Sequence, residues 1–197
     1  MSRDAWFEDL RRRIAEFYLA EPRDPYRMSG RSTGAGRWAL KRRCLVDALD
    51  GPGDYLDVGC ANGLLLESLQ EWSGLALVPH GIDFVPELIA AARDRHPGCA
   101  QNFAVANVWD WAPTRLYDYL RTNVEYVPVA DRVANVQRLA PFTRRLIVCH
   151  YAATDEELVD VADVLRQAGL PVTGTTSAPE VAVAWSAHPD GAADRPN

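Results

Sequence analysis

A β-strand, a tight turn and a helix follow one another in Tyr55-Leu-Asp-Val-Gly-Cys-Ala-Asn-Gly-Leu-Leu-Leu-Glu-Ser-Leu69. The apolar strand ends at Val58, small residues carry the turn, and the helix is predicted over residues 64–72. In an α/β protein such a unit places a cofactor at the carboxyl edge of a parallel sheet, because small residues let the ligand approach the backbone closely.

The composition of the 197-residue chain is that of one globular domain with a substantial core, at 48% hydrophobic and 24% charged residues. The sequence contains no run of about 18 apolar residues, the length that spans a bilayer. Its N-terminus is charged where a signal peptide would be apolar. We therefore expect a cytoplasmic protein with no membrane partner.

Charge and residue spacing exclude further classes. The net charge of -6 argues against a general nucleic-acid binder, which presents a basic face to phosphates. The basic run Arg37-Trp-Ala-Leu-Lys-Arg-Arg43 is a local exception, and a solvated helix face explains it equally well. The four cysteines form no Cys-x-x-Cys pair and the carboxylates show no divalent-metal spacing, so we expect reduced thiols and no metal.

The first fifty residues predict a helical cap. Apolar residues at spacings of three and four indicate an amphipathic helix over residues 4–19, and the same spacing returns over residues 35–49. An irregular connection rich in proline and glycine joins the two helices over residues 21–36. We therefore assign residues 1–52 to an N-terminal helical cap.

Strands and helices alternate after the opening unit, and each crossover is long enough for a helix. This pattern predicts parallel strands with helices on both faces of the sheet. The predicted strands are residues 76–83, 99–106, 116–122 and 145–150, and the predicted helices are residues 86–95, 130–139 and 156–168.

The chain ends differently, with two β-rich segments at residues 170–177 and 181–187 separated by a turn that contains Pro179. One terminal strand should therefore lie antiparallel in the sheet. The predicted fold is a Rossmann-like, seven-stranded, mostly parallel sheet with one antiparallel strand, over residues 53–187. Residues 188–197 are predicted to form a flexible tail.

With the motif Asp57-Val-Gly-Cys-Ala-Asn-Gly63, the chain resembles class I S-adenosylmethionine-dependent methyltransferases over roughly residues 53–187, in particular small single-domain bacterial ones of unassigned substrate. The acidic residue before the first glycine distinguishes such sites from dinucleotide sites, since S-adenosylmethionine carries a cationic amino acid end. Ala61 stands where a second glycine is frequent. The resemblance implies a cofactor loop made by Asp57, Gly59, Cys60, Ala61 and Gly63.

Two further strand ends match the resemblance. Asp83 follows the motif by about twenty residues, where a carboxylate would hold the ribose diol. Phe84 would then pack on adenine, unless it belongs to the core. Asn107 and Val108 would hold the adenine edge with Trp109 beside them, although Asn107 is also placed to cap the following segment.

The acceptor side of the site is less determined. Arg121 would contact the cofactor or favour an acceptor with a carboxylate or phosphate, or it pairs with a local acid. His150 ends the fifth strand and is a candidate general base. The other candidate acceptor-binding residues are Asn123, Glu125, Tyr126, Tyr151, and from the cap Tyr26 and Trp38.

The resemblance implies in-line transfer of a methyl group to a small-molecule acceptor, with nitrogen or oxygen favoured over carbon or sulfur and S-adenosylhomocysteine as the product. Two alternatives stay open. One is a non-catalytic module that binds S-adenosylmethionine or a nucleotide. The other is an NAD(P)-dependent oxidoreductase, against which stand Asp57, the missing second glycine and the closing hairpin. A monomer and a homodimer are both compatible with the sequence.

Overall fold

The computed structural model describes residues 2–30, 34–153 and 156–187 and contains a seven-stranded sheet. The strand order is β3-β2-β1-β4-β5-β7-β6, and β7 lies antiparallel to both of its neighbours while the other pairs are parallel. The predicted fold class is therefore confirmed. The strands are β1 Gly53–Val58, β2 Leu77–Asp83, β3 Phe103–Val105, β4 Tyr117–Asn123, β5 Thr143–Tyr151, β6 Gly174–Ala178 and β7 Val181–Ala187.

Six α-helices within the described residues surround the sheet: α1 Arg3–Tyr18, α2 Gly34–Arg42, α3 Leu64–Ser73, α4 Pro86–Arg95, α5 Arg132–Leu139 and α6 Val161–Gln167. A 3-10 segment, Arg43–Ala48, continues α2 towards β1. None of the helices in this part of the chain is both long and apolar enough to cross a bilayer.

Side chains that alternate along each strand supply two cores, one on each face of the sheet. Leu56 of β1 packs with residues of α5 and α6 on one face. Tyr55 packs with residues of α3 and α4 on the other. The N-terminal helices join both cores, since Phe7 of α1 belongs to the first and Trp38 of α2 to the second. The two helices of residues 1–52 thus flank the sheet, and a domain boundary at residue 52 stays a prediction.

Several predicted elements are shorter in the structure, including the helix predicted over residues 35–49, which is α-helical only to Arg42. Three others are shortened by an identifiable local contact. A 3-10 segment, Pro97–Asn102, replaces the first half of the predicted third strand, because Pro97 fixes its backbone and donates no hydrogen bond to a ladder. The helix predicted from residue 156 begins at Val161, where the Asp160 side chain accepts from the backbone N–H groups of the first turn. The first hairpin strand begins at Gly174 rather than at residue 170, because Leu170 N donates to Leu165 O and completes the end of α6.

The connection between β3 and β4, residues 106–116, contains no helix. The predicted elements likewise include no helix between these two strands, although the crossover is long enough for one. The predicted tail, residues 188–197, lies outside the described residues.

Candidate functional site

A cavity of about 610 Å³ opens at the carboxyl ends of β1, β2 and β4 and is covered by α1 and α2. Small-molecule sites typically have volumes of about 300–1,000 Å³. Fourteen of the predicted site residues line this cavity, which are Trp38, Asp57, Gly59, Cys60, Ala61, Asp83, Phe84, Asn107, Val108, Arg121, Asn123, Glu125, Tyr126 and Tyr151. The sheet therefore brings together residues that lie up to about a hundred positions apart in the chain.

The turn after β1 has an unusual backbone. Gly59 and Gly63 have φ values of 77° and 74°, and Ala61 has a φ of 48°, which places a residue with a Cβ atom in the left-handed region. Two hydrogen bonds hold the turn onto β2, since the N–H groups of Gly59 and Cys60 both donate to Ile82 O. The left-handed alanine is thus fixed by its neighbours.

Both glycines of the turn are required by packing within the protein. A Cβ atom at Gly59 would lie 2.4 Å from Cε2 of Tyr126, and one at Gly63 would lie 2.9 Å from Cδ2 of His96. The Tyr126 hydroxyl donates to Gly59 O at 3.3 Å. Close side-chain packing therefore accounts for the two glycines, and Gly63 itself does not line the cavity.

Asp83 connects the turn to the second strand end. Its carboxylate accepts from Ala61 N and from Val85 N, each at 3.0 Å, and the residue is buried. Burial raises the pKa of Asp83 to about 6, although the two backbone N–H groups act in the opposite direction. Phe84 follows it on the cavity wall. A buried carboxylate that organises the turn therefore stands where the ribose contact was predicted.

The third strand end contributes a capped segment. The Asn107 side-chain oxygen accepts from Trp109 N at 2.9 Å, so the capping role is present, and Asn107 and Val108 also line the cavity. Trp109 does not line it, because the guanidinium of Arg3 covers its ring at 3.9 Å from the centroid.

Arg121 forms a buried ion pair with Asp57. Its Nη1 lies 2.8 Å from Asp57 Oδ1, and the two residues face each other in the β1–β4 register. Its Nη2 donates to Asn123 Oδ1. Burial opposes the charge of Arg121, but the Asp57 carboxylate outweighs it and holds the pKa of the guanidinium well above its usual value. Pairing with a local acid, which the sequence left open, is therefore the observed state.

Glu125 and Tyr151 form the wall beyond this ion pair. Glu125 lies in the 3-10 turn after β4, and its Oε1 accepts from Tyr151 N at 3.1 Å. Burial raises the pKa of Glu125 to about 7. The ring of Tyr151 contacts two cations, with the guanidinium carbon of Arg42 at 4.9 Å and that of Arg121 at 5.4 Å from its centroid. This wall combines an acid with aromatic and cationic groups.

The described part of the chain contains no group of three or more His, Cys, Asp or Glu residues placed to hold a metal ion.

No family model and no curated protein sequence matches the chain. Solved structures do match. The 1,6-didemethyltoxoflavin-N1-methyltransferase of Burkholderia thailandensis is 16% identical, with 95% of this chain and 92% of that chain covered at a TM-score of 0.68.

Two further solved methyltransferase structures are similar to this chain over most of its length. The N-methyltransferase NodS of Bradyrhizobium japonicum is 18% identical, with 91% and 98% of the two chains covered at a TM-score of 0.62. The magnesium protoporphyrin IX methyltransferase of Synechocystis is 16% identical, with 90% and 96% covered, also at 0.62. The chain has the class I methyltransferase fold.

Within this methyltransferase fold, His150 lies outside the cavity. It is 1% exposed, its Nδ1 accepts from Val159 N at 3.1 Å, and its Nε2 lies 3.6 Å from Glu156 Oε1. Burial lowers the pKa of His150. Neighbouring side chains of a strand point to opposite faces, so Tyr151 reaches the cavity and His150 does not. The sequence-based placement of a base at His150 is therefore corrected.

The cap contributes more to the cavity than the sequence indicated. Trp38 lines it and donates from Nε1 to Ser68 Oγ at 2.9 Å, whereas Tyr26 packs against Trp38 outside the lining. Arg42 was missed: it is 8% exposed and stacks on Trp38 at 3.9 Å. Arg42 belongs to the basic run at residues 37–43, which from the sequence alone was explained equally well as a solvated helix face. The apolar face of α1 forms the cover with Trp6, Phe7, Leu10, Ile14, Phe17 and Tyr18.

Proposed function

We propose that this protein is an S-adenosylmethionine-dependent methyltransferase that acts on a small-molecule acceptor. The observation that carries the proposal is the position of Asp83, which ends β2, lines the cavity and binds the backbone of the β1 turn at Ala61. The methyltransferases from Burkholderia thailandensis and Bradyrhizobium japonicum share the fold and contain bound S-adenosylhomocysteine. A cytoplasmic location in a bacterial cell is part of the proposal.

The lining residues fit this cofactor. Asp83 offers a carboxylate to a ribose diol, Phe84 offers an apolar surface to adenine, and Asn107 and Val108 lie beyond them along the same edge. The backbone of Gly59 and Cys60 borders the cavity between Asp83 and the Arg121–Asp57 pair. The bound cofactor would supply an activated methyl group, so the protein has to orient an acceptor and exclude water.

The acceptor would lie on the far side of this edge, beside Glu125, Tyr126 and Tyr151. The apolar side chains of α1 and the ring of Trp38 cover the cavity and keep water out. A polar wall under an apolar cover suits a small aromatic or heterocyclic acceptor that carries hydrogen-bonding groups. We favour nitrogen or oxygen as the methylated atom.

Isothermal titration calorimetry with S-adenosylmethionine, S-adenosylhomocysteine and NADH tests the cofactor. We expect S-adenosylmethionine and S-adenosylhomocysteine to bind with micromolar Kd values, which correspond to binding free energies of about -7 to -8 kcal/mol. NADH should bind at least tenfold more weakly. Preferential binding of NADH would refute the proposal in favour of an oxidoreductase.

The second measurement is formation of S-adenosylhomocysteine in the presence of a panel of phenols, anilines, hydroxy acids and nitrogen heterocycles. Turnover with any of these compounds supports the enzyme. Tight cofactor binding without turnover on any compound of the panel or in a cell extract would favour the non-catalytic binding module.

A further inference from the structure

Five carboxylates line the cavity, and in four of them no buried oxygen lacks a hydrogen-bond partner. Asp57 pairs with Arg121, and Asp83 accepts from two backbone N–H groups. Glu180 pairs with Lys41, and Glu156 accepts from Ala153 N at 3.0 Å with its side chain 53% exposed. Each of these four carboxylates thus has a structural partner within the described residues.

Glu125 differs from the other four. Its Oε1 is held by Tyr151 N at 3.1 Å, which fixes the carboxylate relative to β5. Its Oε2 is shielded from solvent and makes no hydrogen bond to any of the described residues. A buried carboxylate oxygen without a partner is costly, on the order of 1–3 kcal/mol or more. Glu125 is a lining residue of the cavity, so a bound ligand that donates a hydrogen bond to this carboxylate would remove the cost.

Two other buried polar atoms without partners in the described chain belong to the same wall. They are Nε of Arg121 and the hydroxyl of Tyr151. Both groups are hydrogen-bond donors, and the guanidinium carbon of Arg121 lies 5.4 Å from the centroid of the Tyr151 ring. The wall therefore offers one acceptor and two donors. A ligand that matches it presents an N–H or O–H group close to an oxygen or nitrogen that accepts hydrogen bonds.

We propose that Glu125 binds the N–H or O–H group that receives the methyl group and takes its proton during transfer, an inference that rests on the proposed function. The lone pair of the acceptor atom forms a bond to the methyl carbon as the bond from that carbon to sulfur breaks, and the bonding pair stays on sulfur. The proton of the acceptor passes to the Glu125 carboxylate, which becomes a neutral acid and later loses the proton to solvent. No other reactant is needed.

The environment of Glu125 suits this role. A base is most effective when its pKa lies near the working pH, and the pKa of Glu125 is raised to about 7 by burial. Arg121, Arg132 and the backbone N–H groups of Glu125 and Tyr151 favour its charged form, and the ionisable side chains of Tyr126 and Cys149 also interact with it. N–H and O–H groups are strong hydrogen-bond donors, whereas S–H is a weak one, so a carboxylate that binds the acceptor through such a bond favours N–H and O–H compounds.

The test compares Glu125→Gln, Glu125→Asp and the control Glu71→Gln, which changes an exposed glutamate of α3 outside the cavity. The first readout needs no turnover. In protein labelled with 13C at the glutamate carboxyl carbons and saturated with S-adenosylhomocysteine, the resonance that disappears in Glu125→Gln should titrate with a midpoint near 7. A midpoint in the ordinary range of about 4 to 5 would overturn the inference.

The second readout is the pH profile of turnover with the best compound of the acceptor panel. Glu125→Gln should lower kcat by 10²-fold or more, within the usual range for a lost general base, and should abolish the inflection near pH 7. Glu125→Asp, which keeps an ionisable group, should retain more activity than Glu125→Gln, and Glu71→Gln should match the wild type. Retention of the inflection with kcat within threefold in Glu125→Gln would overturn the inference.

Calorimetry with S-adenosylhomocysteine distinguishes failure of the inference about Glu125 from failure of the proposed function. Binding to Glu125→Gln within threefold of the wild type would show that the variant is folded and that Glu125 is not a cofactor contact, as the inference requires. Loss of binding in that variant alone would make Glu125 a cofactor contact and overturn the inference. Absence of binding by the wild type would refute the proposed function itself.

Discussion

The guanidinium of Arg121 on β4 lies 2.8 Å from the carboxylate of Asp57 on β1, and both side chains are buried at the carboxyl edge of the sheet. The pair joins two neighbouring strands at the floor of the cavity and places its charges between the predicted cofactor and acceptor regions. Neither residue can lose its partner without leaving a buried charge, so the pair links the stability of the fold to the shape of the site.

Replacement of Arg121 by Met should therefore destabilise the protein strongly. We expect the free energy of unfolding to fall by about 3–5 kcal/mol, because Asp57 keeps a buried charge without a partner. The double variant Arg121→Met/Asp57→Leu should recover part of the loss. Urea denaturation measures both. The exposed pair Glu8–Arg11 supplies the control, and equal losses in Arg121→Met and Glu8→Ala would contradict a special role for the buried pair.

Replacement of Asp83 by Asn should weaken cofactor binding. An amide has one acceptor oxygen where the carboxylate has two, so it cannot hold Ala61 N, Val85 N and a ribose diol together. We expect the binding free energy for S-adenosylhomocysteine to weaken by about 1–3 kcal/mol, so its Kd should rise roughly 5- to 150-fold. Calorimetry measures this value, with Asp94→Asn on the exposed face of α4 as the control. An unchanged Kd would remove Asp83 from the cofactor site.

Replacement of Ala61 by Gly should stabilise the protein. The φ of 48° costs alanine about 1–2 kcal/mol, and the greater freedom of glycine in the unfolded chain offsets part of the gain, so the net increase should be at most about 1 kcal/mol. The matched control is Ala90→Gly in the exposed part of α4, which should destabilise by about 1 kcal/mol. A loss of stability in both variants would show that Ala61 is unstrained.

Replacement of Gly59 by Ala should disturb Tyr126. The new methyl group would lie 2.4 Å from the Tyr126 ring, and the backbone has a φ of 77°. We expect a lower Tm and altered tyrosine fluorescence, because the ring must leave its place over the turn. Gly36→Ala is the matched control, since no atom lies within 4 Å of its added methyl group and the position is within α2; its Tm should rise. Equal Tm values for Gly59→Ala and wild type would contradict the packing account.

The pH dependence of stability should reveal Glu125. Its pKa is raised from 4.5 to about 7, so the folded protein holds a proton that the unfolded chain has already lost between these values. The contribution of Glu125 to the free energy of unfolding therefore decreases as the pH rises from about 4.5 to about 7, by up to roughly 3 kcal/mol. The difference in the free energy of unfolding between the wild type and Glu125→Gln isolates this contribution from the opposite contribution of His150, whose pKa is lowered. A flat difference would show that Glu125 titrates normally.

Local patterns sufficed for most of the architecture. The strand-turn-helix around Gly59, the alternation of strands and helices and the closing hairpin are short-range signals, and the sheet with one antiparallel strand followed from them. The same signals placed Asp57, Asp83 and Asn107 at strand ends, which meet at one edge in any parallel sheet. The predicted boundaries of the third strand and of the last helix were wrong. In both cases a local residue, Pro97 or the helix cap Asp160, overrode the strand or helix propensity of its neighbours.

The chemistry of the acceptor side depends on contacts between distant segments. The partner of Arg121, Asp57, lies 64 positions away in the chain. The sequence left open whether Arg121 contacts a ligand or an acid, and only the register of β1 against β4 identifies the acid as its partner. The placement of His150 outside the cavity and of Glu125 in its wall has a similar reason, because the face to which a side chain points and the groups that satisfy it are set by packing. Residue types and the succession of strands and helices along the chain are local properties, whereas burial and hydrogen-bond partners exist only once the sheet and the N-terminal helices have assembled.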